Sequence, residues 1–193
     1  ACVGVGLIFI LKDFRLTALL PIVIALLFAF SPQAITHRMM SMFSDKDPAN
    51  LDRLAMVEVG ARMIADHPLT GVGPSMVIEV YPHYRDKAAV NELNPHLHNV
   101  PLQIAAERGL PALVIWLWFI VTLVIDLTRR RSGGYPSVTN AALAALAAML
   151  AAGMFEYNFG DSEFLMLFLI LMTLPYAAER IQAARDATPE ARR

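Results

Sequence analysis

The chain has 193 residues, of which 56% are hydrophobic and 17% charged, and a net charge of −1. Its mean hydropathy is +0.50. This is too apolar for an ordinary soluble domain, far from any disordered composition and without the basic excess of a nucleic-acid partner, so membrane is the default reading.

The chain opens on Ala1-Cys2 inside an apolar stretch, with neither an initiator Met nor the basic flank and cleavage site of a signal peptide, and so reads as the C-terminal part of something longer. Cys2 has no intramolecular disulfide partner, and no Cys/His spacing matches a zinc module. Residues 1–11 resemble a truncated span. Full spans are expected at 16–35, 111–127, 141–155 and 164–178, each close to the ~17–25 apolar residues that cross a bilayer as helix. A barrel is excluded because the period-two alternation is missing. The expected fold is therefore all-α, one polytopic transmembrane helical bundle with a long, partly helical periplasmic loop. The basic residues Lys12, Arg15, Arg129, Arg130, Arg131, Arg180, Arg185, Arg192 and Arg193 fall on one side if the spans alternate, which makes that side cytoplasmic. Residues 128–140 and 179–193 are then inside, while the loop 36–109 and the turn 156–163 are periplasmic. Residues 141–153, nearly all Ala, Leu and Met, read as a packing helix.

The outer loop exceeds the about 15 residues beyond which loops are usually functional or disordered, and it is too rich in patterned apolar residues for disorder. Over residues 51–66, Leu54, Val57, Ala61 and Ile64 recur at helical spacing, with Asn50 as N-cap and Pro68 as the stop. Arg53 and Arg62 stand roughly 180° apart on that helix, so both cannot aim at one ligand. Glu58 lies four residues before Arg62, the favourable order for an ion pair, which leaves Arg53 as the ligand-facing arginine.

His67-Pro68-Leu69-Thr70-Gly71-Val72-Gly73-Pro74 reads as a tight turn, without the third glycine and preceding strand of a dinucleotide loop. Beyond it, Pro101 suits the first turn of a short helix, Gly109 its cap, and Pro111 the start of a span. His98 and Asn99 thus precede a helix N-terminus, where backbone N–H groups favour an anion, and histidine is the side chain whose unperturbed pKa lies nearest physiological pH. His96 and His98 share a face of an extended chain, but two ligands are too few for a metal site, so none is expected.

These residues resemble the bacterial O-antigen ligase and polysaccharide polymerase family of membrane glycosyltransferases. The resemblance rests on Arg53, on the segment from Asp66 to Pro74, and on His98-Asn99 followed by Glu107 and Gly109. It extends to the outer turn Phe155-Glu156-Tyr157-Asn158-Phe159-Gly160-Asp161, with Ala112 where members often carry a second glycine. It implies a metal-independent enzyme without cofactor, in the bacterial inner membrane. Such an enzyme moves a glycan from an undecaprenyl diphosphate carrier to an acceptor sugar, on a lipid A core or a growing polysaccharide, at the periplasmic face. Arg53 would hold the diphosphate, and His98 would be the base or orient the acceptor hydroxyl. Asn99 would hold His98 or contact sugar, His96 would join the substrate-binding set, and Arg85, Lys87 and Arg108 are secondary phosphate contacts. Glu156 and Asp161 read as a structural turn rather than catalytic carboxylates. Besides the donor and acceptor, the expected partners are membrane lipids, and no nucleic acid. The rivals are a non-catalytic assembly protein and a transporter or flippase for a lipid-linked glycan. A transporter would place ionisable residues within its spans, where this chain has only Asp126 near an inner end.

Overall fold

The computed structural model describes residues 2–12, 22, 25, 26, 30, 48–86 and 91–187. In chain order these form α1 (Cys2–Lys12), α2 (Pro48–Asp66), α3 (Val77–Tyr84), α4 (Val100–Arg130), α5 (Pro136–Gly153), a 3-10 turn (Asn158–Gly160) and α6 (Ser162–Asp186). The described residues contain no strand. Helices α4, α5 and α6 are long and apolar enough to cross a membrane. The stretches expected at 111–127 and 164–178 lie inside α4 and α6, whereas α5 starts earlier and ends earlier than 141–155. Most of the stretch 16–35, and Lys87, lie outside the described residues. Contacts divide the chain into two units, a helical unit (Ala1–Thr17, Trp118–Ala152, Asn158–Arg193) and a loop unit (Ala18–Leu117, Gly153–Tyr157).

In the helical unit α5 is the packing element. Of its apolar window 39% is buried, against 11% in α4 and 17% in α6. A Cβ at Gly4 of α1 would lie 2.9 Å from the Ala144 carbonyl oxygen and 3.0 Å from Ala148 Cβ, so these helices approach backbone to backbone. Small residues permit that approach, and in lipid, where hydrophobicity does not drive helices together, it supplies the contact. The outer faces of α4 and α6 leave Val121, Val124, Ile125, Leu167, Leu169 and Ile170 exposed. Water penalises such a surface and hydrocarbon does not. Asp126 is compensated: Arg130 Nε donates to it at 2.9 Å and Tyr176 Oη at 2.5 Å. Arg130 also pairs with Glu179 and lies 4.2 Å over the Tyr176 ring.

The loop unit has its own core of Met56, Val59, Met63, Val77, Tyr81, Leu97 and Ala106. On α2 the buried stripe is Asp52, Met56, Val59 and Met63, while Leu54, Val57 and Ala61 are exposed. Of the stripe read from the sequence only Ile64, partly buried, packs against the core, and the other three face outward. Both stripes are apolar at helical spacing, so periodicity alone does not choose between them. Asn50 is likewise not the cap, because α2 begins at Pro48, whose missing N–H costs nothing in a first turn. Arg62 does pair with Glu58, and its Nη1 also donates to the Tyr84 carbonyl at 3.1 Å.

The paired glycines act as a clamp. Gly71 and Gly73 have φ of 66° and 111°, and this lets the turn lie against α4. There the Val72 N–H donates to the Ala106 carbonyl at 2.8 Å and the Gly73 N–H to that of Glu107 at 3.0 Å. These carbonyls lose their helical partners because Gly109 breaks the helix, at φ 82° and ψ 168°, and Pro111 lacks an N–H. The Leu110 N–H closes the ring on the Pro68 carbonyl at 2.8 Å. A Cβ on Gly71 would sit 2.2 Å from the Glu107 carbonyl carbon, and one on Gly109 2.3 Å from the Leu69 oxygen. Gly109→Ala is expected to destabilise the protein by roughly 3 kcal/mol, combining backbone strain with this clash. Gly134→Ala, where a Cβ meets nothing within 4 Å, should stay within about 0.5 kcal/mol. Thermal unfolding of the detergent-purified variants checks the pair.

Candidate active site

Residues 94–99 carry the candidate chemistry, and three polar anchors fix them. Buried Asn94 donates to Tyr81 Oη at 2.9 Å and Asp52 Oδ1 at 3.4 Å, and Asn91 Nδ2 reaches Asp52 Oδ2 at 2.8 Å. The Leu97 N–H donates to Gln103 Oε1 at 2.7 Å, and Gln103 Nε2 in turn to Glu107 Oε1 at 2.8 Å, both side chains being buried. Asn99 is the N-cap of α4: its Oδ1 accepts the Leu102 N–H at 2.9 Å and its Nδ2 donates to the Met154 carbonyl at 3.0 Å. Leu97 plugs into the core between two half-exposed histidines, His96 and His98. His98 pays for its position with φ 46°, a left-handed backbone that costs a non-glycine residue about 1–2 kcal/mol. Strain of that kind persists only where surrounding contacts impose it, and it concentrates at working sites.

The strained backbone brings the two imidazoles within 4.1 Å, centroid to centroid, at 61°. Glu156 joins them from the segment Gly153–Tyr157. Its carboxylate lies 3.0 Å from His98 Nδ1 and 3.7 Å from His96 Nδ1, and the Tyr157 N–H donates to it at 3.0 Å. Burial pushes the Glu156 carboxyl up. The Tyr157 N–H, the His98 hydrogen bond and the neighbouring imidazoles together outweigh burial, and the group ionises below the usual carboxylate range. An ionised carboxylate only accepts, so His98 Nδ1 carries the hydrogen, and in the neutral imidazole that tautomer leaves a bare lone pair on Nε2.

The sequence-predicted residues separate into two sets. His96, His98 and Asn99 converge, with Glu156 as the member that the sequence reading assigned to a structural turn. No local signal marks Glu156, because its partner is 58 positions away; its place in the outer turn beside Tyr157 was the available hint. Arg53 lies exposed on α2, and no described residue pairs with it. Arg85 reaches Glu92 at 3.9 Å, and Arg108 is held by buried Glu107 at 2.9 Å. Lys87 lies outside the described residues.

These elements define a class, an all-helical membrane protein with a polar site in a separately packed loop unit. The O-antigen ligase family model matches residues 1–117, more than half of the chain, and the protein belongs to that family. It is accordingly a multi-pass membrane protein, with three candidate transmembrane helices among the described residues. Arg53 and His98 fall inside the matched segment, and Glu156 falls beyond it. No curated protein gives a significant match to the chain.

The double role of Asn99 is separable. Asn99→Ala removes both the cap and the Met154 tie and is expected to cost about 1–2 kcal/mol, whereas Asn99→Ser restores the cap and should recover roughly half of that. Thermal unfolding of both variants beside the parent reads the difference.

Proposed function

We propose that the protein transfers a glycan from undecaprenyl diphosphate to the hydroxyl of an acceptor sugar, on a lipid A core or a growing polysaccharide, at the periplasmic face. The observation that carries this reading is the His98–Glu156 pair beside the capped N-terminus of α4, in a chain of the O-antigen ligase family. The acceptor oxygen forms a bond to the anomeric carbon while the bond from that carbon to the diphosphate oxygen breaks. The acceptor proton passes to His98 Nε2, and the electron pair leaves on undecaprenyl diphosphate. Glu156 holds the imidazole in the accepting tautomer and stabilises the imidazolium that forms, as a buried carboxylate does in hydrolase triads.

Arg53 supplies the charge on the donor. Its guanidinium matches phosphate oxygens bidentately and stays protonated, so leaving-group charge is balanced without a metal ion. That no described residue neutralises Arg53 supports this role, whereas Arg62, Arg85 and Arg108 each have an acidic neighbour. The compensation of Asp126 by Arg130 and Tyr176 counts against a transporter, which needs an ionisable group free to load and unload within its spans.

His98→Ala is expected to lower transfer of a labelled undecaprenyl-linked glycan by about 10²–10⁴-fold, and Arg53→Ala comparably, with both proteins inserted and accumulated normally. Glu156→Gln should lower kcat by about 10²-fold with KM little changed, because the amide favours the wrong tautomer; Glu156→Asp should recover part of it. Full activity of His98→Ala removes the mechanism. For orientation, in a Cys2→Ala background, Asp161→Cys is expected to react with an impermeant maleimide added to intact cells and Ser132→Cys only after permeabilisation. The reverse pattern would put the site on the cytoplasmic face.

A further inference from the structure

Residues 94–99 offer only two imidazoles, one ligand short of a metal site, and the fold supplies the third donor. Among the described residues, His96, His98 and Glu156 each present one ligand atom, and these atoms lie within 4.8 Å of one another. Adjacent donors around a zinc-like ion bound at about 2.0–2.2 Å stand roughly 3–3.6 Å apart. Of the separations from Glu156, that to His98 Nδ1, 3.0 Å, falls within that range, and that to His96 Nδ1, 3.7 Å, lies just beyond it. The geometry points to a divalent transition-metal site of the two-histidine, one-carboxylate type, formed by His96, His98 and Glu156, whose occupation switches the transfer chemistry off. The inhibitory half of this statement rests on the function proposed above; the metal site itself does not.

Two features make the site suitable for such an ion. Two nitrogen donors and one carboxylate select borderline ions of the zinc and cobalt type over magnesium or calcium, which prefer all-oxygen shells. The side chains of His96, His98 and Glu156 are 28%, 29% and 53% exposed, so water reaches the cluster through His98 and Glu156, while the His96 Nδ1 atom itself is covered. The anchors that hold the loop at Asn94, Leu97 and Asn99 set the two imidazoles edge to face beside Glu156, so the three ligands are already assembled.

The antagonism follows from which nitrogen is used. As a base His98 carries its hydrogen on Nδ1, toward Glu156, and accepts at Nε2. A metal on Nδ1 needs that lone pair bare, so the hydrogen moves to Nε2 and the accepting atom is lost. The ion also takes the Glu156 carboxylate, removing the group that orients the ring. One imidazole cannot serve both states at once, so metal binding and proton acceptance exclude each other.

Cobalt(II) titration of the purified full chain in detergent tests this, since cobalt bound by nitrogen and carboxylate ligands shows visible d–d bands. The expected result is saturable binding of one cobalt per chain, displaced by zinc, and lost in both His96→Ala and Glu156→Gln. Both variants are compared with the parent by size-exclusion profile and thermal unfolding; if His96→Ala unfolds, His96→Gln replaces it. Zinc should inhibit glycan transfer over the range in which it displaces cobalt, and chelator should restore it. No stoichiometric binding, or binding that survives in both variants, overturns the site. Transfer that chelator abolishes and zinc restores keeps the site and overturns its inhibitory role. A chain that binds cobalt but transfers no glycan refutes the transferase reading alone.

Discussion

Two backbone hydrogen bonds, from Val72 and Gly73 to the carbonyls of Ala106 and Glu107, support everything else in the loop unit. A helix that stops in mid-chain leaves carbonyls without partners, and burying them unpaired costs on the order of 1–3 kcal/mol each. The glycine turn answers that demand, but only because Gly71 and Gly109 lack a Cβ where their backbones meet their neighbours. Once the turn is seated, α2 is drawn onto the first turns of α4, with Gly60 against Leu102. Buried Gln103, held by Glu107, then accepts the Leu97 N–H of the segment 94–99. The glycine turn is thus a structural device, and its service to the site is to hold the histidines.

Electrostatics in the site follow from that framework. His98 sits in a backbone region that its own preferences oppose, and the opposing weight comes from Leu97 in the core and Asn99 on the helix end. The cost secures a ring that meets a carboxylate on one edge and leaves the other open. Exposed Glu156 is kept ionised by a backbone N–H and two imidazoles rather than by burial, an arrangement that solvent can enter and that depends on the ring geometry.

Much of this was legible in the sequence, and the misses share one cause. Apolar run length marked the three long apolar helices α4, α5 and α6, the Gly and Pro positions marked both turns, and the Glu58–Arg62 spacing predicted its ion pair. These are local signals, carried by residues within a few positions of one another. The buried stripe of α2 was misread because Leu54 and Val57 satisfy the same periodicity as Met56 and Val59, and only the partner surface decides between them. Glu156 was assigned to a turn because its meeting with His98 is a property of the fold, with nothing beside it in the chain to announce it. Asn99 shows the intermediate case: its position before a helix was readable, but its second bond, to the Met154 carbonyl, was not.

The break at Gly109 also separates two mechanical tasks within one helix. An unbroken rod from Val100 to Arg130 would transmit any tilt of its apolar half straight to the residues at its head. Bilayers of different thickness impose such tilts at a cost of fractions of a kcal/mol per Å. With the ladder interrupted at Gly109 and its ends tied to Pro68, Val72 and Gly73, the first turns of the helix are held by hydrogen bonds of their own unit and not by the continuity of the rod.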